Sequence, residues 1–290
     1  MPDIGALRDN DGSFTYKNQF SKGRSCSYIN HIQKITFCKK LSFSPESSNI
    51  WYLISSTLFM YLFLDTETHD VENPIMIQLA YKPSDRLDYF SSLYGTGGVP
   101  IEISSMSVHH ITESEIAGKP LFEETPDKAE LQKILETYTL VAHNAVFDVD
   151  VLERRGIEVT APICTLRLSR YLLPELDQHK MQYLRYYFGI EFSEKPQAHD
   201  ALGDVLVLEK VFYKLHDLLK AAEPQKDEQA LKNMMIEISS HPSVLYMCRF
   251  GKHKGTLWSE VPRDYLDWVV NKSDFTDEDV LYTARYYLEI

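Results

Sequence analysis

The sequence predicts an α/β fold, a mixed sheet with helices on both sides, and three observations lead there. Short, continuous apolar runs (Tyr61-Leu62-Phe63-Leu64, Ile75 to Tyr81, Thr139 to Ala142) suit strands buried on both faces. Between and after them lie stretches with helical apolar spacing, closed by glycine or opened by proline. The order, strands first and then strands alternating with helices, implies a mixed sheet rather than a purely antiparallel one.

Each element follows in turn. Tyr61 to Leu64 is the first strand, Asn73-Pro74 a turn, and Ile75 to Tyr81 the second strand. A third strand is expected in Leu87 to Ser92, followed by a loop at Gly95-Thr96-Gly97-Gly98. Pro126 to Tyr138 places Leu131, Ile134 and Leu135 on one helical face. Thr139 to Ala142 is a buried strand, and Ala145 to Arg155 is a helix that Gly156 stops. Helices are expected at Thr165–Leu173 and at His179–Phe188, the latter stopped by Gly189. A Pro-containing loop at Glu194 to Ala198 then leads into a long helix from His199 or Asp200 to about Lys220.

The chain has 290 residues, enough for one substantial domain and a smaller one. Its net charge of −12 argues against a protein that coats duplex DNA through a broad basic face. That charge is compatible with a nuclease, because carboxylates that hold divalent cations are themselves acidic. Cys26, Cys38, Cys164 and Cys248 show no C-x-x-C spacing, so neither a zinc site nor a disulfide framework is suggested, and a reducing, cytoplasmic compartment is expected. Ile50 to Leu64 is fifteen residues without a charge, shorter than the roughly 20 that span a bilayer. No membrane span is expected. Residues 1–59 stand apart: 7 Lys+Arg against 4 Asp+Glu, hence +3, while the remainder carries 23 against 38, hence −15. They lack a sustained period, and the next methionine, Met60, directly precedes the first strand. Two readings stand: a mistaken upstream translation, or a genuine, poorly ordered extension.

Four acids and one histidine fall where chemistry could use them. Asp65 and Glu67 follow the first strand two residues apart, so both carboxylates project to one face at the carboxyl end of a buried strand. Adjacent carboxylates repel unless cations lie between them. Two Mg²⁺ ions about 3.5–4 Å apart would relieve that cost and clamp a phosphodiester, and oxygen ligands suit Mg²⁺ or Mn²⁺. Alone the triplet is weak, since average composition supplies roughly one per chain of this size. Asp148 falls in the first turn of the helix after Ala142-His143-Asn144, where the helix dipole favours an acid in any case. His143 and Asn144 could cap that helix, and Asp150 points elsewhere. On an ideal helix, positions five apart differ by about 140°. His199 and Asp204 therefore converge only if His199 stands at the unwound mouth, where its pKa is free to sit near neutrality, as a general base requires. Asp200 reads as a helix-cap acid.

These elements together resemble the DnaQ-like exonuclease superfamily, in the class named for four acids and a histidine, from Met60 to about Lys220. The motifs are Leu64-Asp-Thr-Glu-Thr68, His143-Asn-Ala-Val-Phe-Asp148 and His199-Asp-Ala-Leu-Gly-Asp204. Position 200 is aspartate, not the tyrosine of the family's other variant. Softer similarities lie at Val108-His109-His110-Ile111-Thr112, where the family often has glycine at the place of His110, and at Cys164-Thr165-Leu166, where it often has Asp at the place of Cys164. The resemblance implies a ribonuclease H-like fold and a two-metal 3′–5′ exonuclease. Asp65, Glu67 and Asp204 would hold the first metal, with Asp65 shared by the second and Asp148 helping through water. His199 would take a proton from the attacking water, and the backbone around Thr66 and Thr68, with His143 and Asn144, would seat the terminal nucleotide.

Residues 60–222 form the expected exonuclease domain and 223–290 a small C-terminal α+β domain. That segment offers a polar linker at Glu223 to Glu228, a helix near Gln229–Ile238, a hairpin or tight loop across Arg249 to Trp258, and a helix opening at Pro262. Its basic and aromatic residues suit a single strand with stacked bases. Equally, Trp258, Tyr265 and Trp268 suit the core of a small domain. The pattern Phe-Gly-Lys-x-Lys-Gly…Trp…Val-Pro…Tyr-Leu-x-Trp resembles the C-terminal domain of exodeoxyribonuclease X-like proteins, which implies DNA over RNA and a repair or proofreading role. An RNA-trimming enzyme of the same fold and a non-catalytic nucleic-acid-binding module are the alternatives. The partner, a second copy or a polymerase or repair protein, stays open.

Overall fold

The computed structural model describes residues 59–192 and 201–289, together with two short strands, β1 (Leu7–Arg8) and β2 (Phe14–Thr15), which pair antiparallel. These two strands belong to a separate unit, residues 1–39; everything below lies in the compact unit 40–290. The remaining expectations for residues 1–58, and those for His199, Asp200 and the loop before them, lie outside the described residues.

The sheet has five strands: β3 (Tyr61–Thr68), β4 (Met76–Pro83), β5 (Phe90–Leu93), β6 (Thr139–Ala142) and β7 (Ile163–Cys164), in the order β5-β4-β3-β6-β7. β3 pairs antiparallel with β4 and β4 with β5, while β6 runs parallel to both β3 and β7. The mixed sheet expected from the order of elements is therefore present, with β3 at its centre. Most boundaries shift by up to three residues, and β3 runs four further, to Thr68; β4 continues to Pro83, pairing with Leu62 beyond the apolar run.

Alternation along β3 decides what meets each face. Leu62 and Leu64 join the core shared with Leu131 of α3 (Asp127–Leu135) and with Val151 and Leu152 of α4 (Ala145–Arg154). Tyr61 and Phe63 turn the other way and meet Phe212 of the long helix α7 (Ala201–Ala222), with ring centroids 4.8 and 5.4 Å apart. On that face a part-buried Lys82–Glu209 pair at 2.5 Å also ties β4 to α7. Two short helices, α1 (Ile103–His109) and α2 (Glu113–Ile116), fill a stretch where periodicity predicts nothing. α1 closes on His110 at φ 62°, a left-handed conformation that glycine adopts without a Cβ penalty. The departure at His110 thus falls on a position whose backbone conformation favours glycine.

α5 (Thr165–Leu172) and α6 (Met181–Tyr187) pack against α7, and α8 (Glu228–Ser240) lies on α5 and β7, where the Cys164 N–H donates to the Ser239 hydroxyl at 2.8 Å. Beyond it a second core gathers Cys248, Trp258, Tyr265 and Leu266 with α9 (Arg263–Asn271) and α10 (Glu278–Glu289). Its β content among the described residues is a single antiparallel bridge, Met247 to Leu257, around a tight turn. Gly251 makes that turn possible: it sits at φ 60°, and a Cβ there would meet the Tyr265 hydroxyl at 2.3 Å. Trp258 and Tyr265 are core residues; Trp268 is 40% exposed.

Candidate active site

The alternation that builds the core also builds the site. Asp65 and Glu67 continue the face of Phe63, and α7 presents Asp204 to them: carboxylate oxygens of all three lie within 4.8 Å of one another. An ion with Mg–O distances of about 2.0–2.1 Å needs ligand oxygens roughly 3–4 Å apart, so the donor set fits a hard divalent cation after a small closure. A bulge between Glu67 and Thr68 ends the regular pairing beside this cluster.

Thr66 faces the opposite side and meets Asp148 of α4. Both its N–H (3.1 Å) and its hydroxyl (2.9 Å) donate to Asp148 Oδ1. Burial pushes the Asp148 carboxyl up to about 7, against the pull of those two hydrogen bonds. Asp148 is thus held on the strand that carries the cluster but is not one of its three close carboxylates.

The residues expected to seat the nucleotide divide. Thr66, His143 and Asn144 line the cleft at the cluster, whereas the Thr68 hydroxyl donates to the Asp70 carbonyl at 2.8 Å and Thr68 is not in the lining. Asn144 takes a left-handed conformation, φ 66°, as the residue before α4. His143 Nδ1 lies 2.9 Å from the Thr165 hydroxyl and its ring also bonds the main-chain carbonyl of His179. Burial lowers the His143 and His179 imidazoles to about 4, so both are neutral at pH 7. His199 lies outside the described residues.

Sequence reasoning misses Gln182, whose Nε2 donates to Asp204 Oδ1 at 3.1 Å while Arg185 Nη1 donates to its Oε1 at 3.3 Å. No local pattern signals it, because α6 and α7 meet only in the folded chain.

A family model described as Exonuclease (RNase_T) matches residues 62–212, just over half of the chain. The chain belongs to this exonuclease family. Among curated relatives, exodeoxyribonuclease 10 of Escherichia coli strain K12 is 29% identical over 194 residues, covering 66% of this chain and 80% of that protein. A DNA polymerase III subunit epsilon-like protein of Rhodobacter capsulatus is 34% identical over 129 residues, 43% of this chain and 18% of that one. A solved structure of exonuclease I matches with a TM-score of 0.50 at 16% identity, over 74% of this chain and 60% of that chain, and agrees in fold. The exonuclease is a divalent-metal-dependent enzyme of the 3′–5′ class, and among its described residues Asp65, Glu67 and Asp204 form an acidic cluster that could hold a cation. No helix among them is long and apolar enough to cross a membrane.

Proposed function

We propose that this exonuclease removes nucleotides from the 3′ ends of DNA with Mg²⁺, releasing 5′-mononucleotides. The observation that carries the reading is the three-carboxylate cluster at the carboxyl end of β3, opening into a cleft of about 1180 Å³. Asp65, Glu67 and Asp204 would hold Mg²⁺, with Mn²⁺ as a substitute and Asp148 supporting a second ion through Thr66 and water. When bound, the ions supply a positive clamp for the phosphodiester oxygens. His199 is the general base: it takes a proton from the attacking water as the water's oxygen bonds to phosphorus and the P–O3′ bond breaks. The departing 3′ oxygen takes up a proton from solvent. His143 and Asn144, fixed at the start of α4, seat the terminal nucleotide. DNA is favoured by the likeness to exodeoxyribonuclease 10. The buried free thiols of Cys164 and Cys248 support a reducing, cytoplasmic setting.

The test is release of 5′-mononucleotides from matched DNA and RNA oligomers, with Mg²⁺ and then EDTA, by wild type and Asp65→Ala. Metal-dependent loss of DNA by wild type alone is the expected result. Faster RNA trimming would move the protein to RNA turnover, and a near-normal rate in folded Asp65→Ala would refute the site.

A further inference from the structure

The catalytic cleft does not end at the nuclease fold. Its lining runs from Asp65 and Glu67 past His143 and His179 to a second wall made by the C-terminal segment, Val244 to Phe250 with the start of α10. That wall is fastened. Arg167 Nη2 donates to Glu278 at 3.0 Å, Arg170 pairs with Asp279, and the Arg249 guanidinium donates to the Leu176 carbonyl. Arg167 and Arg170 are therefore neutralised by their docking partners. Arg249 is different: it is exposed, and the acceptor it meets is a carbonyl, which leaves its charge in place.

The volume also bears on the occupant. About 1180 Å³ exceeds the roughly 300–1,000 Å³ of pockets that enclose one small ligand. A terminal nucleotide at the carboxylates leaves the far end for the chain that precedes it. The lining is mixed in charge, with Asp177 and Asp277 beside Lys180 and Arg249, so it suits phosphate contacts at discrete points rather than a broad basic face.

We propose that the C-terminal segment is the second wall of the substrate groove, and that Arg249 binds a backbone phosphate of the single strand immediately upstream of the scissile bond. This rests on the nucleic-acid exonuclease reading above. An aromatic side chain near a cation is what a single strand with stacked bases requires, and Tyr246 shares the lining with Arg249, whereas Phe250 is packed against Phe275 and Trp258.

The test compares full-length wild type, Arg249→Ala and Arg249→Lys. Binding of a fluorescent single-stranded DNA 12-mer is followed by anisotropy with Ca²⁺ in place of Mg²⁺, across a salt series. Hydrolysis of thymidine 5′-(4-nitrophenyl phosphate), which has no upstream strand, is followed in parallel. Loss of one single-strand phosphate contact lowers the slope of log K against log salt by about 0.7, which at 0.1 M salt, one decade below the reference, is about fivefold in Kd. Arg249→Ala is expected to show both changes with ester hydrolysis unaltered, and Arg249→Lys to restore the slope. An unchanged slope, or an equal loss on ester and 12-mer, overturns the proposal. If wild type hydrolyses nothing yet Arg249→Ala still weakens binding as stated, the groove stands and the exonuclease reading fails instead.

Discussion

Asp148 offers the sharpest test of how this site is built, through the isosteric change Asp148→Asn in metal-free protein. In the fold its carboxyl titrates near 7 because it is buried, 3% exposed, against 3.8 for an unperturbed aspartate. A raised pKa means that the folded state holds a proton the unfolded chain has already lost. Between about pH 4 and pH 7 stability therefore falls as pH rises, and the penalty is complete above 7. At about 1.4 kcal/mol per pKa unit, the gap of roughly three units corresponds to about 4 kcal/mol, an upper figure because solvent relaxation blunts buried charges. An asparagine oxygen can still accept the N–H and hydroxyl of Thr66, so the variant removes the charge and keeps the contacts. Urea denaturation in EDTA from pH 4 to pH 8 is the assay. The variant should match wild type near pH 4 and exceed it by about 2–4 kcal/mol at pH 8. Added Mg²⁺ should narrow that gap by stabilising wild type more. A difference that does not vary with pH would refute the assignment of the penalty to a buried charge.

Two further consequences concern groups around the cluster. Gln182→Leu removes the donor to Asp204 Oδ1 and should weaken Mn²⁺ binding about tenfold, as loss of a supporting ligand contact typically does; calorimetric titration reads this, and unchanged affinity would show that Gln182 is not needed to orient Asp204. Arg170→Ala strands the buried Asp279 carboxylate, whose remaining protein donor shown is the Ser243 N–H at 2.7 Å. The cost should be about 2–4 kcal/mol, below the full value for a buried pair because Arg170 is 22% exposed. Adding Asp279→Asn should recover most of it, and failure to do so would show that the loss is packing rather than charge.

What the sequence determines about this protein is what depends on neighbours along the chain. Apolar runs locate β3, β4 and β6, Gly156 follows the end of α4, and alternation along Asp65-Thr66-Glu67 predicts two carboxylates on one face. The same alternation implies that Thr66 must face the other way, which is why it finds Asp148 82 positions later. α2 was legible in principle, since Thr112 and Glu115 form a capping box, but four residues are too few to establish a period. Tertiary structure alone decides which distant side chains meet. Gln182 reaches Asp204 across two helices, and Arg249 reaches the Leu176 carbonyl 73 residues away. Periodicity specifies which face of an element is buried; it carries no information about which element buries it, because that choice rests on packing over the whole sheet. Asp65 and Glu67 were therefore readable from local pattern and Asp204 from the motif that resembles the exonuclease family, while the residue that braces Asp204 and the wall that extends the cleft exist only in the folded chain.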